Sequence, residues 1–342
     1  MYYFLLIPLA LFNNLAFADK ASLPDSHAPI SIMADHTHRK NEIMFSYRFM
    51  NMNMNKLFYG NNEISVNETM SAPNGSSNGR GTYMNAPTSM NMDMHMFGFM
   101  YAPTDLVTFM LMNSYNKKEM TQQRMMGAGG AKFDVNSSGF GDFKLSALLS
   151  TNDHTNWKNH IVFGLSFPTG SINVRDRTPA SNSARLGYNM QNGTGTYDPY
   201  FLFNNINIFG KIRVGEQIFF KTPISGKNDN NYRYGNDFNF KFWSSYRVID
   251  QISTSLNLNY KYKGKIKGTD DEMNKRMSPA MDSHNHGYQK VNLGIGLNFI
   301  NHEEFFHNHR LGFEFIIPLY QKYNGIQMAE NFSIVAGWQY SF

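Results

Sequence analysis

The chain has 342 residues, a formal net charge of +5, 15% aromatic residues and no cysteine. The lack of cysteine excludes disulfides, thiolate metal sites and a cysteine nucleophile, and the charge is too dispersed to indicate a nucleic-acid partner. After the N-terminus there is no apolar stretch of about 18 residues, which excludes membrane-spanning helices.

The N-terminus has the pattern of a targeting segment. Residues 4–12 are apolar, and Ala16-Phe17-Ala18 fits the small-x-small rule for signal-peptidase cleavage before Asp19. The first three residues carry no lysine or arginine, so the usual positive start of such a segment is missing. We predict a signal peptide over residues 1–18, a periplasmic segment over residues 19–40 that is a candidate plug, and a β-barrel over residues 41–342.

Alternating apolar and polar residues predict β-strands through the rest of the chain. Successive side chains of a strand point to opposite faces, and in the last strand one parity is apolar and ends in Trp338, Tyr340 and Phe342. Glu216 lies on the apolar parity of the seventh strand and indicates either a bulge or an incorrectly assigned strand there. The twelve predicted strands cover residues 41–54, 89–101, 106–117, 140–150, 158–168, 196–208, 211–224, 237–248, 252–264, 288–300, 309–321 and 330–342.

The connections between these strands alternate between long and short. Bacterial outer-membrane barrels have an even number of strands, short periplasmic turns and long outer loops, whereas a soluble β-sandwich gives no reason for such alternation. We therefore predict an all-β fold, a closed antiparallel transmembrane β-barrel of about twelve strands in the bacterial outer membrane. The predicted outer loops are residues 55–88, 118–139, 169–195, 225–236 and 265–287.

The end of the chain also indicates partners. The last strand resembles the C-terminal strand of bacterial outer-membrane barrels, whose assembly machinery recognises a final aromatic residue. This resemblance implies that Phe342 contacts the barrel-assembly machinery. The predicted location adds outer-membrane lipid and lipopolysaccharide as surroundings, and no nucleic acid is expected.

Several short motifs occur in an order typical of one bacterial family. Residues 139–145 (GFGDFKL), 164–170 (GLSFPTG), 192–198 (NGTGTYD) and 314–325 (EFIIPLYQKYNG) are each weak alone. Together they resemble a family of outer-membrane transporters of the phenol-degradation (MetA-pathway) type, and residues 27–38 (HAPISIMADHTH) are similar to its Met- and His-rich subgroup. The resemblance implies a barrel and a transport function, and it fixes no binding residue.

Methionines are concentrated in the first part of the chain, where 17 of 23 lie between Met33 and Met126. On the first three predicted strands, aromatic residues take the lipid face, so the methionines face the lumen and form a thioether wall. Thioethers are soft ligands that suit Cu(I), and nearby histidines add donors; alternatively, methionine is only a flexible filler. The candidate metal ligands are Met50, Met52, Met54, Met92, Met94, Met96, Met110, Met112, His27, His36, His38 and His95.

The remaining predicted lumen face is mostly basic. A ring of such charges favours anions, and the alternative is a solvated wall neutralised by counter-ions and loop acids. The candidate solute-contacting residues are Arg48, Lys144, Arg213, Lys241, Arg247, Lys261, Lys290, Arg310 and Glu314.

No catalytic site is predicted, so the chain is not expected to be an enzyme. His160 and Ser166, the one pair that resembles a Ser/His site, are six residues apart on one strand and so roughly 20 Å apart. The sequence predicts a channel or transporter through which a small solute diffuses passively along a narrow basic lumen. The alternatives are a copper-binding or copper-transporting barrel with a Met/His track, and a structural or adhesive surface barrel. No cofactor other than copper is expected.

Overall fold

A computed structural model describes residues 23–75, 82–125, 130–301 and 308–342. The signal peptide predicted over residues 1–18 lies outside these ranges, and so does Met126. Within the described ranges, no helix combines the length and the apolar character needed to cross a membrane.

Twelve antiparallel strands form one closed sheet, which confirms the predicted fold class. Each strand pairs with the strand before it and the strand after it in the chain, and the last strand pairs with the first. The strands are β1 (Ile43–Tyr59), β2 (Asn85–Thr104), β3 (Val107–Arg124), β4 (Phe143–His154), β5 (Trp157–Phe167), β6 (Asp198–Phe209), β7 (Ile212–Lys221), β8 (Asp237–Ile249), β9 (Ile252–Lys263), β10 (Tyr288–Ile300), β11 (His309–Tyr323) and β12 (Ile326–Ser341).

The seam between β1 and β12 runs the full length of both strands, from Met44 opposite Ser341 to Tyr59 opposite Ile326. Beyond β12, the amide of Phe342 donates to the carbonyl of Ile43 at 2.9 Å, and the amide of Ile43 donates back at 2.9 Å. Pairing of the first and last strands removes both open sheet edges, whose unpaired backbone groups are costly in lipid. The last residue therefore contributes directly to closure.

The wall of the barrel is apolar outside and polar inside. On β9, Leu256 and Leu258 are exposed, whereas Ser255 and Asn257 are buried in the interior. Aromatic residues repeat this outward exposure around the wall, including Phe45, Phe97, Phe109, Phe163, Phe201, Phe240 and Phe313. A continuous exposed apolar face of this size is unfavourable in water and matches the hydrocarbon of a bilayer.

The two ends of the barrel differ. One end, called the short-turn end, has connections of two residues between β2 and β3, β4 and β5, β6 and β7, and β8 and β9. The other end, called the long-loop end, carries helix α1 (Val66–Ser71), the 3-10 helices Tyr188–Met190, Pro279–Met281 and Ser283–Asn285, and the short strands Asn62–Ile64, Lys132–Phe140, Arg175–Thr178, Ser181–Arg185, Tyr232–Arg233 and Lys267–Gly268.

Two details of the sequence prediction are wrong. Strands β1, β2 and β3 extend several residues farther toward the long-loop end than predicted, because their outward side chains there are polar and give no alternating signal. No bulge occurs at Glu216, where β7 pairs without a register shift on both sides. Glu216 instead points outward in the middle of β7, opposite Asn205 of β6.

Three of the sequence motifs meet at the start of β4. The Asp142 carboxylate accepts hydrogen bonds from the amides of Gly170 at 3.0 Å and Thr194 at 2.9 Å. Gly193 packs so closely on Gly170 that a Cβ at Gly193 would lie 2.1 Å from the Gly170 carbonyl oxygen. The motifs therefore fasten the loop between β5 and β6 to the rim of the barrel.

Glycines also make room for aromatic rings inside the lumen. Trp243 on β8 is 1% exposed and lies over Gly215 on the neighbouring strand β7. A Cβ at Gly215 would lie 2.2 Å from the Trp243 ring, which is far inside contact distance. The small residue is therefore required by the packing of the lumen rather than by backbone conformation.

Substitution Gly215→Ala is expected to destabilise the barrel by about 1–3 kcal/mol, the usual cost of overpacking. The measurement is the temperature at which the folded, fast-migrating form disappears on a heat-modifiability gel. Gly226→Ala is the matched control, because a Cβ there meets nothing within 4 Å. Equal transition temperatures for the two variants would show that Trp243 does not pack as described.

Candidate functional site

Residues 23–42, called the inner segment, fold into the barrel from the short-turn end. Near its start, the Pro24 carbonyl accepts a hydrogen bond from Ser253 Oγ at 2.9 Å. At its deepest point Ile30 is fully buried, and Cβ atoms added at Gly312 and Gly337 would lie within 3 Å of it. The segment thus fills the lower lumen and then returns to begin β1.

Charged residues of the wall hold one arm of the inner segment. Asp25 is fully buried and accepts a hydrogen bond from Arg213 Nε at 2.9 Å, while Arg247 Nε lies 3.7 Å away. Arg310 Nη2 donates to the Ala28 carbonyl at 2.5 Å. Loss of one partner of a buried ion pair leaves the other charge unpaired in the interior and strongly destabilises the folded protein. These contacts therefore hold the segment in place.

The turn of the inner segment is held in the same way. Glu314 accepts hydrogen bonds from the Ser31 amide at 3.0 Å and from Asn257 Nδ2 at 3.1 Å. Four of the charges predicted to contact a solute contact the chain's own inner segment in this structure: Arg213, Arg247, Arg310 and Glu314.

Uncharged wall residues satisfy the backbone of the inner segment. Gln217 donates to the Met33 carbonyl at 2.9 Å, and Asn204 donates to the Asp35 carbonyl at 3.0 Å. His160 Nε2 lies 2.8 Å from the Ala34 carbonyl, to which it donates. Buried peptide groups outside regular secondary structure need such partners, so the lumen is shaped for this segment.

Above the inner segment lies a chamber of about 380 Å³. Thioethers line it from β1 and β2, and ammonium groups line it from β3, β9 and β10. The main thioethers are Met52, Met54, Met90 and Met92, and the lysines are Lys118, Lys261, Lys263 and Lys290.

The chamber lysines differ in how they are held. Lys290 Nζ lies 3.5 Å from Glu330 Oε2 and 4.7 Å from the centre of the Tyr288 ring. Lys118 Nζ donates to the Asn189 and Gln191 carbonyls at 3.1 and 2.5 Å, which fastens a loop over the chamber. Two of the predicted solute-contacting residues, Lys261 and Lys290, are thus placed at this chamber.

The other predicted basic residues also point inward. Lys144 pairs with the buried Ser166 across the β4–β5 ladder, and Lys241 Nζ donates to Gln217 at 3.2 Å. Arg48 is buried beside the inner segment, with the Cγ atom 3.0 Å from a Cβ built at Gly337. The inward face of the wall is basic at all these positions.

The long loops cover the chamber. Asp282 accepts hydrogen bonds from the Gly75 amide at 2.8 Å and from the Tyr83 hydroxyl at 3.0 Å, which ties two loops together. Burial raises the pKa of Tyr83, so the hydroxyl keeps the proton that it donates. Burial lowers the pKa of His286 to about 4, so the histidine in this cover is uncharged at neutral pH.

The structure places the predicted methionines on the lumen side of the first three strands. In the β1–β2 ladder, Met50 lies opposite Met94, and Met52 lies opposite Met92. Toward the long-loop end, Met54 packs in a buried apolar cluster with Leu57. The remaining predicted methionines also lie on the lumen side: Met96 on β2, and Met110 and Met112 on β3.

His95 is a correction to the predicted metal ligands. The Nδ1 atom lies 2.8 Å from the Tyr47 hydroxyl, and the ring centre lies 5.2 Å from that of Phe49. These residues belong to the outward face, so the sheet itself separates His95 from Met94 and the lumen. Residue parity already indicates this, because His95 alternates with the methionines of β2.

The N-terminal histidines, in contrast, come together inside the barrel. His27 Nδ1 lies 3.3 Å from His36 Nδ1, and the His36 and His38 ring centres are 4.8 Å apart. Asp35, which no sequence pattern indicates as a ligand, lies beside them, with Oδ1 2.9 Å from His36 Nδ1. Burial and the neighbouring His36 lower the pKa of His27 well below its ordinary value, so this imidazole is neutral.

His160 is a further residue that the sequence did not identify as part of this group. Together with the three N-terminal histidines it lines a cavity of about 50 Å³ near the short-turn end. Its only sequence signal is an isolated histidine on an inward strand position, which is too weak to assign. The contact between strand and inner segment becomes visible only in the folded barrel.

The chain matches no protein-family model and no curated protein. Among solved structures it is similar to an outer membrane channel from Pseudomonas putida F1, with a TM-score of 0.60 and 12% identity over 91% of this chain and 99% of that one. It is also similar to the β domain of the Bordetella autotransporter BrkA, with a TM-score of 0.45 and 10% identity over 89% and 100% of the two chains. The first similarity supports the barrel fold; the transporter family that the motifs resemble stays a prediction.

Proposed function

We propose that the chain is an outer-membrane channel through which small amphipathic anions diffuse passively. The observation that carries the proposal is the chamber of about 380 Å³, which combines thioethers and ammonium groups in one enclosed space. The outward apolar face supports a membrane location, because only lipid covers such a surface around a whole barrel.

The chemistry of the chamber favours one class of solute. Lysine ammonium groups attract a carboxylate or similar anion, and they do so more strongly in a narrow lumen than in bulk water. Thioethers are polarizable and adapt to apolar groups of varied shape. A small anion with an apolar body therefore fits better than a sugar, a cation or an uncharged polar solute.

Passage through the barrel requires movement of the inner segment. It lies across the lower lumen and has no regular secondary structure before Glu42, so separate side-chain contacts rather than a β-ladder hold it. Such a segment can leave without breaking the barrel sheet. We therefore propose that it closes the channel at the short-turn end, which corresponds to the periplasmic side.

Charge reversal of Lys261 tests the role of the chamber. In planar bilayers, Lys261→Glu is expected to lower the anion-to-cation permeability ratio at least about fivefold, since one unit charge beside the path contributes about 1 kcal/mol and the substitution changes the charge by two units. Lys132→Glu, on an exposed strand of the long-loop end, makes the same charge change away from the chamber and is the control. A protein without conductance would favour a surface role, and equal selectivity in both variants would contradict the anion path.

A copper-handling barrel is the second candidate function. The observation that favours it is the register of β1 and β2, which sets Met50 opposite Met94 and Met52 opposite Met92. Residues directly opposite each other in an antiparallel pair have Cβ atoms about 4.5–5.5 Å apart. Successive pairs of thioethers along the wall would form a track of soft donors for Cu(I).

Replacing Met50, Met52, Met92, Met94 and Met96 by leucine tests this track. Folding should survive, because swaps of similar volume cost under about 1.5 kcal/mol each, whereas Cu(I) binding under reducing conditions should be lost. The control replaces Met273, Met277 and Met281 of an outer loop by leucine. Wild-type protein that binds no Cu(I) would exclude the track, and unchanged binding by the five-residue variant would place the copper site elsewhere.

A further inference from the structure

Three side chains that commonly bind metals converge on the inner segment. His27 Nδ1 and His36 Nδ1 are 3.3 Å apart, and Asp35 Oδ1 is 2.9 Å from the second of these atoms. Asp35 Oδ2 is 3.6 Å from His27 Nδ1. One ligand atom from each of these three side chains lies within 4.8 Å of the other two.

The spacing of the two nitrogens is that of ligands on a tetrahedral ion. Bonds of about 2.0–2.1 Å from imidazole nitrogen to a metal place two such nitrogens about 3.3–3.4 Å apart at a tetrahedral angle. The observed separation of 3.3 Å agrees with this geometry.

The barrel wall positions these ligands. Asp35 Oδ2 accepts a hydrogen bond from the Ala28 amide at 2.9 Å, which orients the carboxylate. Asn204 and His160 donate to the backbone carbonyls of Asp35 and Ala34. Such outer contacts fix the orientation of metal ligands and contribute to metal affinity.

A further donor and a route of entry are also present. Nε2 of His38, whose ring centre lies 4.8 Å from that of His36, is buried and has no hydrogen-bond partner among the described residues. Both histidines line the cavity of about 50 Å³, whose other lining residues include Asp153 and Lys158 at the short-turn end. An ion can therefore reach the group from that end, and His38 or water can complete its coordination.

We infer that His27, Asp35 and His36 form a binding site for a divalent transition-metal ion such as Zn²⁺ or Cu²⁺. Two imidazoles with one carboxylate suit these ions, whereas Ca²⁺ and Mg²⁺ prefer oxygen ligands and Cu(I) prefers thioethers.

The site has a structural consequence for the inner segment. The inner segment has an entering arm before Ile30 and a returning arm after it. His27 lies on the entering arm, and Asp35 and His36 lie on the returning arm, so one ion joins both arms across the turn. A ligand that binds only the folded arrangement stabilises that arrangement. The bound ion holds the inner segment in the lumen, and its removal loosens the segment. Metal binding and stabilisation of the inner segment do not depend on the proposed channel function. An effect of the ion on channel closure does rest on it.

Isothermal titration of the tag-free barrel in detergent with ZnCl₂ tests the site. Wild-type protein is expected to bind about one ion, and His36→Ala is expected to weaken binding at least about tenfold. Asp35→Asn keeps the side-chain shape and should also weaken binding, which covers the case in which the alanine variant misfolds. His95→Ala, a histidine of the outward face, is the matched control and should bind like wild type.

With Cu²⁺, electron paramagnetic resonance adds a direct view of the ligands. Wild-type and His95→Ala proteins should show nitrogen coupling from two imidazoles, and His36→Ala should lose it. No ion binding by wild type, or equal binding by wild type and His36→Ala, would overturn the site. Five Met→Leu substitutions in the thioether wall should leave Zn²⁺ binding unchanged, and loss of it there would also overturn the assignment.

The effect on the inner segment is measured by limited trypsin cleavage at Arg39 and Lys40. Zn²⁺ should slow this cleavage in wild type, a chelator should restore it, and His36→Ala should not respond. Equal cleavage rates with and without Zn²⁺, in protein that binds the ion, would overturn the stabilising role. None of these measurements requires conductance, so failure of the channel proposal and failure of the metal site are distinguishable.

Discussion

Backbone hydrogen bonding across the β1–β12 seam is the interaction on which the rest of the structure depends. A bilayer offers no partner to an unpaired peptide group, so a sheet in lipid must close on itself. Pairing from Met44 to Tyr59, with an irregularity only around Met54, achieves this closure. In the closed barrel, apolar residues must point outward to lipid and polar residues must point inward. Closure also creates an interior that the chain can fill or leave open.

The chain fills the lower half of that interior with its own inner segment and leaves a chamber above it. The same types of residue serve both purposes: Arg213 holds Asp25, whereas Lys261 lines the chamber. A basic lumen is thus partly a binding surface for the inner segment. This division explains why the inward charges do not form one uniform pathway, and in the proposed function closure lies at the short-turn end.

Much of the fold was predictable, because lipid outside and polar groups inside impose alternation on each strand. Leu256 and Ser255 differ in exposure as their parity requires. The strand ends toward the long loops were not predictable, because most outward side chains of β1 to β3 are polar there and give no alternating signal. The His27–Asp35–His36 group was only partly predictable: the histidines stand out in the sequence, but nothing local shows that residues 27 and 36 meet.

The central claim is that the barrel is a channel closed by its inner segment, and single-channel recording in planar bilayers tests it most directly. The comparison is between wild-type protein and a chain lacking residues 23–40, with folding of both established by heat-modifiable migration. Wild-type protein is expected to show brief, small openings, and the shortened chain is expected to show a larger, steadily open conductance. Equal conductance of the two proteins, or no conductance in either, would contradict it.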